Sequence, residues 1–391
     1  MLLAAQKGHL GLLKWARQHG MSWNVYTCTE AAENGHLEVL KWATKEGCPL
    51  DEENCLLASA IGGHLHVIKW LHKQGCPWVK LTCAIAAGRG HYNVLMWLHD
   101  QGCPWDSETC TAVAYKGDLE MLKWLHDEGC PFDSKSCSFA ALGGHLHIVK
   151  WLHELKCPWD AESTENAAQG GNLELLVFLR ENGCPWSDDI YKIAANYGHI
   201  DILWWLIQRA SKFDIVEIVV NIAEEAARSG QLLVLMWLDM LDSLWDVRTL
   251  WGSSAYYAAA NSGRLDVVMW LHENEFSWDE GAFNHAAGGG HLDVLEWLHK
   301  HGCPWDIGIC SEAAYFGQFE ALKWLHDNRF PLNESTCASA AAHGSLDMLK
   351  WLRENHCPWN ESTCSRAHGH GHLDVFEWAR SHGCPVPASL L

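Results

Sequence analysis

Apolar residues in this chain come in short blocks with helical spacing, each closed by a glycine, and the blocks repeat. In Leu37-Glu38-Val39-Leu40-Lys41-Trp42 the apolar positions cover more than one narrow stripe. That is the pattern of a helix sandwiched between neighbours on both sides. The block stops at Gly47, and equivalent blocks stop at Gly75, Gly102, Gly129, Gly183, Gly302 and Gly383, each with proline two residues on. A left-handed glycine ends a helix and the following proline cannot extend it. A shorter helical segment precedes each block and ends in a small-residue pair, as at Ala31-Ala32, Ala86-Ala87, Ala167-Ala168, Ala194-Ala195 and Ala313-Ala314, where two helices can approach closely. N-cap residue types open these first helices: Asn24, Asp51, Asp106, Asp133, Asp160, Ser187, Asp246, Asp279, Asp306, Asn333 and Asn360, with Val79 as the exception.

A glycine followed by a polar and then an apolar residue marks the turn between the two helices. It recurs at Gly8, Gly35, Gly63, Gly90, Gly117, Gly144, Gly171, Gly198, Gly230, Gly263, Gly290, Gly317, Gly344 and Gly371. The gaps are 27 or 28 residues except for 32 and 33 on either side of Gly230. A first helix of some eight residues is too short to stand alone, so stacking of like repeats must stabilise it. The fold class expected is all-α, a helix–turn–helix repeat solenoid of about fourteen repeats. It spans residues 1–391, with an irregular stretch at 208–254 joining two regular halves. Asp239-Met240-Leu241-Asp242-Ser243-Leu244 and Thr249-Leu250-Trp251-Gly252-Ser253 break the pattern there, as a bent junction, a functional protrusion or drift of unselected repeats.

The string Ala31-Ala32-Glu33-Asn34-Gly35-His36-Leu37-Glu38-Val39-Leu40 resembles the ankyrin repeat, with its alanine pair, Gly-His turn and Val-Leu second helix. The resemblance runs over essentially the whole chain. The usual Thr-Pro-Leu-His start is missing, and Thr-Cys stands nearby, as at Thr27-Cys28 and Thr109-Cys110. The period is also about six residues short of ankyrin's 33. A compact Cys-Pro-Trp-Asp loop replaces the projecting β-hairpin finger. This short variant is similar to ankyrin arrays expanded in large DNA viruses and some unicellular eukaryotes.

Composition changes the picture in three places. A net charge of −20 disfavours a phosphate backbone or an anionic membrane surface as partner and favours a neutral or basic protein surface. No apolar run reaches the roughly 18 residues of a membrane span, and no basic leader with a long apolar run opens the chain. The expected location is intracellular and cytoplasmic (host cytoplasm for a viral source), with the 17 cysteines kept as thiols. The chain is expected to be monomeric.

Cysteine, histidine and tryptophan look like chemistry until the period is applied. Nine cysteines lie in loops and eight in first helices, with no C-x-x-C pair for zinc, so neither metal nor cofactor is expected. Equivalent cysteines in adjacent repeats sit about 8–10 Å apart, too far for a disulfide ladder between repeats. That leaves open a bridge within one junction, such as Cys103 to Cys110. A catalytic base is needed once, whereas histidine recurs at eight of the turns, His9, His36, His64, His91, His145, His199, His291 and His372, and is assigned to backbone hydrogen bonds. His368-Gly369-His370-Gly371-His372 is the one local metal-like string, and it fills ordinary repeat slots. Tryptophans form one ladder in second helices and another after the loop proline, where they are expected to join neighbouring repeats.

Specificity should then reside where repeats differ. The two residues before each turn glycine vary, and the ankyrin resemblance places them on the concave face. Tyr115, Lys116, Asn196, Tyr197, Tyr315 and Phe316 are therefore the expected partner-binding residues, aromatic side chains being enriched in protein contacts. The expected function is a non-enzymatic protein-binding scaffold. Two alternatives are the recognition part of a larger adaptor, such as a ubiquitin-ligase substrate receptor, and a metal- or redox-responsive Cys/His array.

Overall fold

A computed structural model of the chain describes residues 1–24, 26–210, 214–241 and 248–390. Among the described residues there are 28 α-helices and no strand, arranged as fourteen pairs of a first and a second helix. The chain divides into two compact units, Met1–Ile190 and Tyr191–Leu391, and the helix Ile190–Tyr197 starts at the division. Within each unit the first helices pack side by side as an inner row, for example Leu81–Arg89, Ser107–Lys116 and Ser134–Leu142. Second helices such as Leu119–Asp127 form a looser outer row. The alanine pairs are what the inner row is built on: Ala31, Ala32, Ala86, Ala87, Ala167 and Ala168 are completely buried.

Stacking supplies the burial that no repeat could provide alone. Val39 is 2% exposed, whereas Leu12, at the same register in the first helix pair and stacked on one side only, is 52% exposed. Burying a side chain of this size contributes roughly 1.5–3 kcal/mol, and every junction repeats the gain.

The caps follow local chemistry with some shifts. Asp51, Asp106, Asp133, Asp279, Asn333 and Asn360 accept hydrogen bonds from backbone N–H groups in the first turn of their helices, and Asn333 forms a reciprocal capping box with Thr336. Asp160 sits at the N-cap but makes no side-chain cap bond. Asn24, Ser187 and Asp306 instead accept from Tyr26, Asp189 and Gly308, closing a turn just before their helices begin. Asp246 and the Asp242-Ser243-Leu244 string lie outside the described residues. At the helix stops, Gly47, Gly75, Gly102 and Gly129 have positive φ. Lys156, Glu275, Arg329 and His356 adopt the same left-handed conformation in repeats that lack the glycine.

The turn histidines bond to backbone, but across the junction. Nε2 of His36 donates to the carbonyl of Gln6 (3.1 Å), His91 to Ile61 (3.0 Å), His145 to Tyr115 (2.9 Å), His291 to Asn261 (3.0 Å) and His372 to Ala342 (3.1 Å). Each acceptor belongs to the preceding repeat's inner helix, whose last carbonyls have no partner within the helix. At three turns without histidine another donor reaches back to the preceding repeat, Asn172 to the turn carbonyl of Gly144 (3.1 Å), Gln231 to Asn196 (2.8 Å) and the Arg264 Nε to Arg228 (3.2 Å), whereas Asp118 and Ser345 cap their own second helices. The latch also explains the turn glycine. Gly117 has φ +86°, and a Cβ there would stand 2.5 Å from the His145 ring. His372 is engaged in this way and His368 packs on Phe376, so the histidine-rich string takes ordinary structural roles.

Loop tryptophans span the junctions on the other side. Trp105 stacks on His99 of its own repeat (3.9 Å, 10°) and meets Trp124 of the next edge-on (5.8 Å, 81°). Trp78 does the same with His72 and Trp97, and Trp278 with His272 and Trp297. Arginine replaces the stacked histidine at Trp186 (Arg180, 4.3 Å) and Trp359 (Arg353, 4.1 Å). The two long spacings correspond to two lengthened inner helices, Asp214–Ser229 and Arg248–Asn261, which pack against each other.

All 17 cysteines are free, and all but Cys157 are buried. The structure does not favour Cys103 with Cys110. Cys103 instead partners Cys83, and Cys110 partners Cys130, because the loop folds back on the first helix of its own repeat.

Candidate partner-binding surface

The inner row leaves grooves along its exposed face. In the first unit one groove of about 390 Å³ is lined by Leu81, Ile85 and Gly88, then Thr111, Ala112 and Tyr115, then Phe139, with Glu108 and Lys135 at its edge. These residues come from three consecutive inner helices, nine, five or six, and two positions before the turn glycine. Positions spaced four and then three apart form one stripe of a helix. Tyr115 is 51% exposed, and its ring meets Phe139 edge-on at 6.3 Å. Gly88 keeps the groove open beside Ala112, since a Cβ there would lie 3.5 Å from the alanine methyl.

The second unit carries a more polar groove, also about 390 Å³, lined by Glu224, Arg228, Tyr257, His285, Glu312 and Phe316 among others. Arg228 is held by Glu224 (2.8 Å) and Glu225 (3.5 Å). Tyr257 donates to Asp279 (2.5 Å) and faces the His285 ring at 5.0 Å. Burial and that hydrogen bond push its phenol up to about 12, so it is a neutral donor at ordinary pH. Phe316 lies over Gly288, where a Cβ would come within 3.1 Å of its ring.

The six residues expected from the sequence are divided between the two units. Tyr115 and Lys116 belong to the first unit, and Asn196, Tyr197, Tyr315 and Phe316 to the second. All six are exposed, Tyr197 at 49%, Tyr315 at 46% and Phe316 at 52%. Tyr115 and Phe316 line the two grooves. Tyr315 packs edge-on against Phe316 at 5.2 Å, and Tyr197 lies parallel to the His199 ring at 6.4 Å. The backbone carbonyls of Tyr115 and Asn196 accept the latch bonds. Leu81, Ile85, Phe139, Tyr257 and His285 also line the grooves and are not among the residues expected from the sequence. The signal for them was present: they fall on the same inner-helix stripe, seven or so residues before the two positions singled out, or one helical turn before them.

Among the described residues no helix is long and apolar enough to cross a membrane, and no cluster of three or more His, Cys, Asp or Glu is placed to hold a metal ion. No curated protein sequence matches the chain significantly. Among solved structures, a pentatricopeptide repeat protein in complex with an 18-nucleotide psaJ RNA element is 13% identical with a TM-score of 0.37, over 97% of this chain and 67% of that one. A structure described as that repeat protein from maize is 11% identical with a TM-score of 0.29, over 97% and 71%. Likeness at these scores carries no argument about ligand or partner. The family model for ankyrin repeats (many copies) matches residues 256–299 and 310–353. The chain is a helix–turn–helix repeat array, and within it residues 256–299 and 310–353 match the ankyrin-repeat family.

Proposed function

We propose that the chain is a non-enzymatic scaffold that binds a protein partner through the exposed face of its inner helices. Ankyrin repeats are repeat scaffolds for protein binding. The observation that carries it is the apolar groove of the first unit. There, Leu81, Ile85, Tyr115 and Phe139 gather at positions the repeat does not need for stacking. An aromatic side chain half exposed beside such a groove is the common form of a binding hot spot. The net charge of −20 favours a partner segment that is apolar with basic or neutral flanks.

The test is affinity capture with the full chain, in parallel with Tyr115→Ala and Phe139→Ala, each checked for an unchanged melting temperature. The expected result is a captured protein whose recovery falls tenfold or more with either variant, and whose direct binding to the purified chain falls equally. Partners that bind both variants as well as the parent chain would refute the assignment of this face.

A further inference from the structure

Six pairs of buried thiols recur at one register and lie outside both grooves. The first-helix cysteine stands seven residues before the turn glycine and the loop cysteine thirteen after it. The pairs are Cys28/Cys48, Cys83/Cys103, Cys110/Cys130, Cys137/Cys157, Cys337/Cys357 and Cys364/Cys384. In each, the two thiols lie close enough for one to shift the titration of the other. Cys110 Sγ donates to Cys130 Sγ at 2.9 Å, and Cys130 donates in turn to the carbonyl of Asp106 at 3.5 Å. Cys157, Cys357 and Cys384 make the same second bond, to Asp133 (3.3 Å), Asn333 (3.2 Å) and Asn360 (3.4 Å).

The five remaining cysteines show that the pairing depends on register. Cys55 and Cys76 are twenty-one apart, because their repeat holds one extra residue, and Cys55 turns to Thr29 instead (3.9 Å). Cys184, Cys303 and Cys310 meet Thr164, Phe283 and Phe330 at the positions where the second cysteine would be.

We propose that the six pairs are oxidisable dithiols, which hydrogen peroxide converts into six disulfides, each tying an inner helix to the loop of its own repeat. The loop cysteine is the attacking member in four of the pairs, Cys48, Cys103, Cys157 and Cys357. In these the S–H of its partner holds the loop thiol below its usual range, against the effect of burial. The same hydrogen bond, together with burial, pushes the first-helix thiol up in each of those pairs. The loop thiol loses its proton and its sulfur attacks one peroxide oxygen. The O–O bond breaks, hydroxide leaves and takes up that proton as water, and a sulfenic acid forms. The first-helix sulfur then displaces the sulfenic hydroxyl, which departs with the first-helix proton as a second water, and the S–S bond closes. Two thiols are oxidised by two electrons and one peroxide is reduced to two waters. At Cys110/Cys130 the sulfurs need move only from 2.9 Å to about 2.05 Å. Cys157 is the one thiol not fully buried, so Cys137/Cys157 should close first.

The experiment uses the reduced full chain, titrated with hydrogen peroxide while folded, then unfolded and alkylated, with intact mass and unreduced peptide mapping as readouts. The expected result is a loss of two hydrogens per pair, reaching twelve of the 17 thiols. The cross-linked peptides should join cysteines twenty residues apart, Cys137–Cys157 earliest, with Cys184, Cys303 and Cys310 still alkylated. In Cys137→Ser, Cys157 should stop at a sulfenic acid that dimedone captures. Links between cysteines of different registers, or thiols that oxidise only after urea unfolds the chain, would overturn the proposal.

Discussion

Replacing His145 by alanine tests whether the turn histidine is a latch between repeats. Its Nε2 donates to the Tyr115 carbonyl at 2.9 Å, and its ring fills the space beside Gly117 and Gly143. That carbonyl is among the last four of the helix Ser107–Lys116, which the helix itself leaves without a donor. Losing the bond costs about 0.5–1.5 kcal/mol, and losing the ring's packing against Gly117 and Gly143 adds to it. A total of about 1–2 kcal/mol at one junction is expected, a factor of roughly 5–30 in the local opening equilibrium. In a repeat array this loss belongs to the interface between neighbours, so it should be local. Native-state hydrogen exchange is the suitable assay, read at the amides of Ser107–Lys116 and Ser134–Leu142. Alanine should lower protection there by that factor and leave Thr27–Glu33 unchanged. His145→Gln should keep most of the protection, since Gln231 already makes the same bond at 2.8 Å. If alanine and glutamine behave alike, the hydrogen bond is not what holds the junction.

Three further outcomes follow from single positions. Lys156 holds φ at 59° where other repeats place glycine. Left-handed backbone costs about 1–2 kcal/mol for an L-residue, and glycine gives back about 0.5–1 kcal/mol in unfolded-chain entropy, so Lys156→Gly should stabilise the chain by a net of about 0.5–1 kcal/mol, read as a raised urea midpoint. A lowered midpoint would show that the lysine side chain matters more than its backbone. The Thr109 hydroxyl is buried without a partner, so Thr109→Val, which keeps the shape, should stabilise the chain by about 1 kcal/mol in the same assay. Burial pushes the His64 imidazole down despite its bond to the Glu33 backbone, and His66, His36 and His91 add repulsion. With the folded value below the unfolded one near 6.5, its stabilisation is complete above that pH. It is lost as pH falls through the folded value. His64→Asn, which keeps a donor as at Asn172, should flatten the decline in stability between about pH 7 and 5.

Much of the fold was legible because its signals are local. A left-handed glycine, a following proline and an Asp or Asn cap act within a few residues of themselves, so Gly117, Gly129 and Asp106 mark their repeat without reference to the rest of the chain. What was not legible depends on how two helices and a loop close on one another. Cys110 is nearer in sequence to Cys103 than to Cys130, yet the loop returns Cys130 to it, and only the hairpin geometry decides between them. The latch was half legible: a histidine at eight of the turns implied a backbone bond, but the acceptor thirty residues earlier lies in another repeat.

The substitutions at each register separate scaffold from recognition better than any one contact does. At the latch position histidine gives way to Asn172, Gln231 and Arg264, and all three still donate to the preceding repeat. Where this position latches two repeats together it needs a donor, not an imidazole, and at Asp118 and Ser345 it caps its own second helix instead. Beneath the loop tryptophans, histidine gives way to Arg180 and Arg353, which again supply a flat cationic or aromatic surface. The inner-helix position five before the turn glycine behaves otherwise. It holds Ile85, Ala112, Phe139, Ala258, His285 and Glu312, which share neither size, polarity nor hydrogen-bonding capacity. Stacking that is satisfied by all of these imposes no demand on the side chain. A position that lines both grooves and is free of structural demand is where one repeat can differ from the next without cost to the array, so partner choice should be written along that stripe.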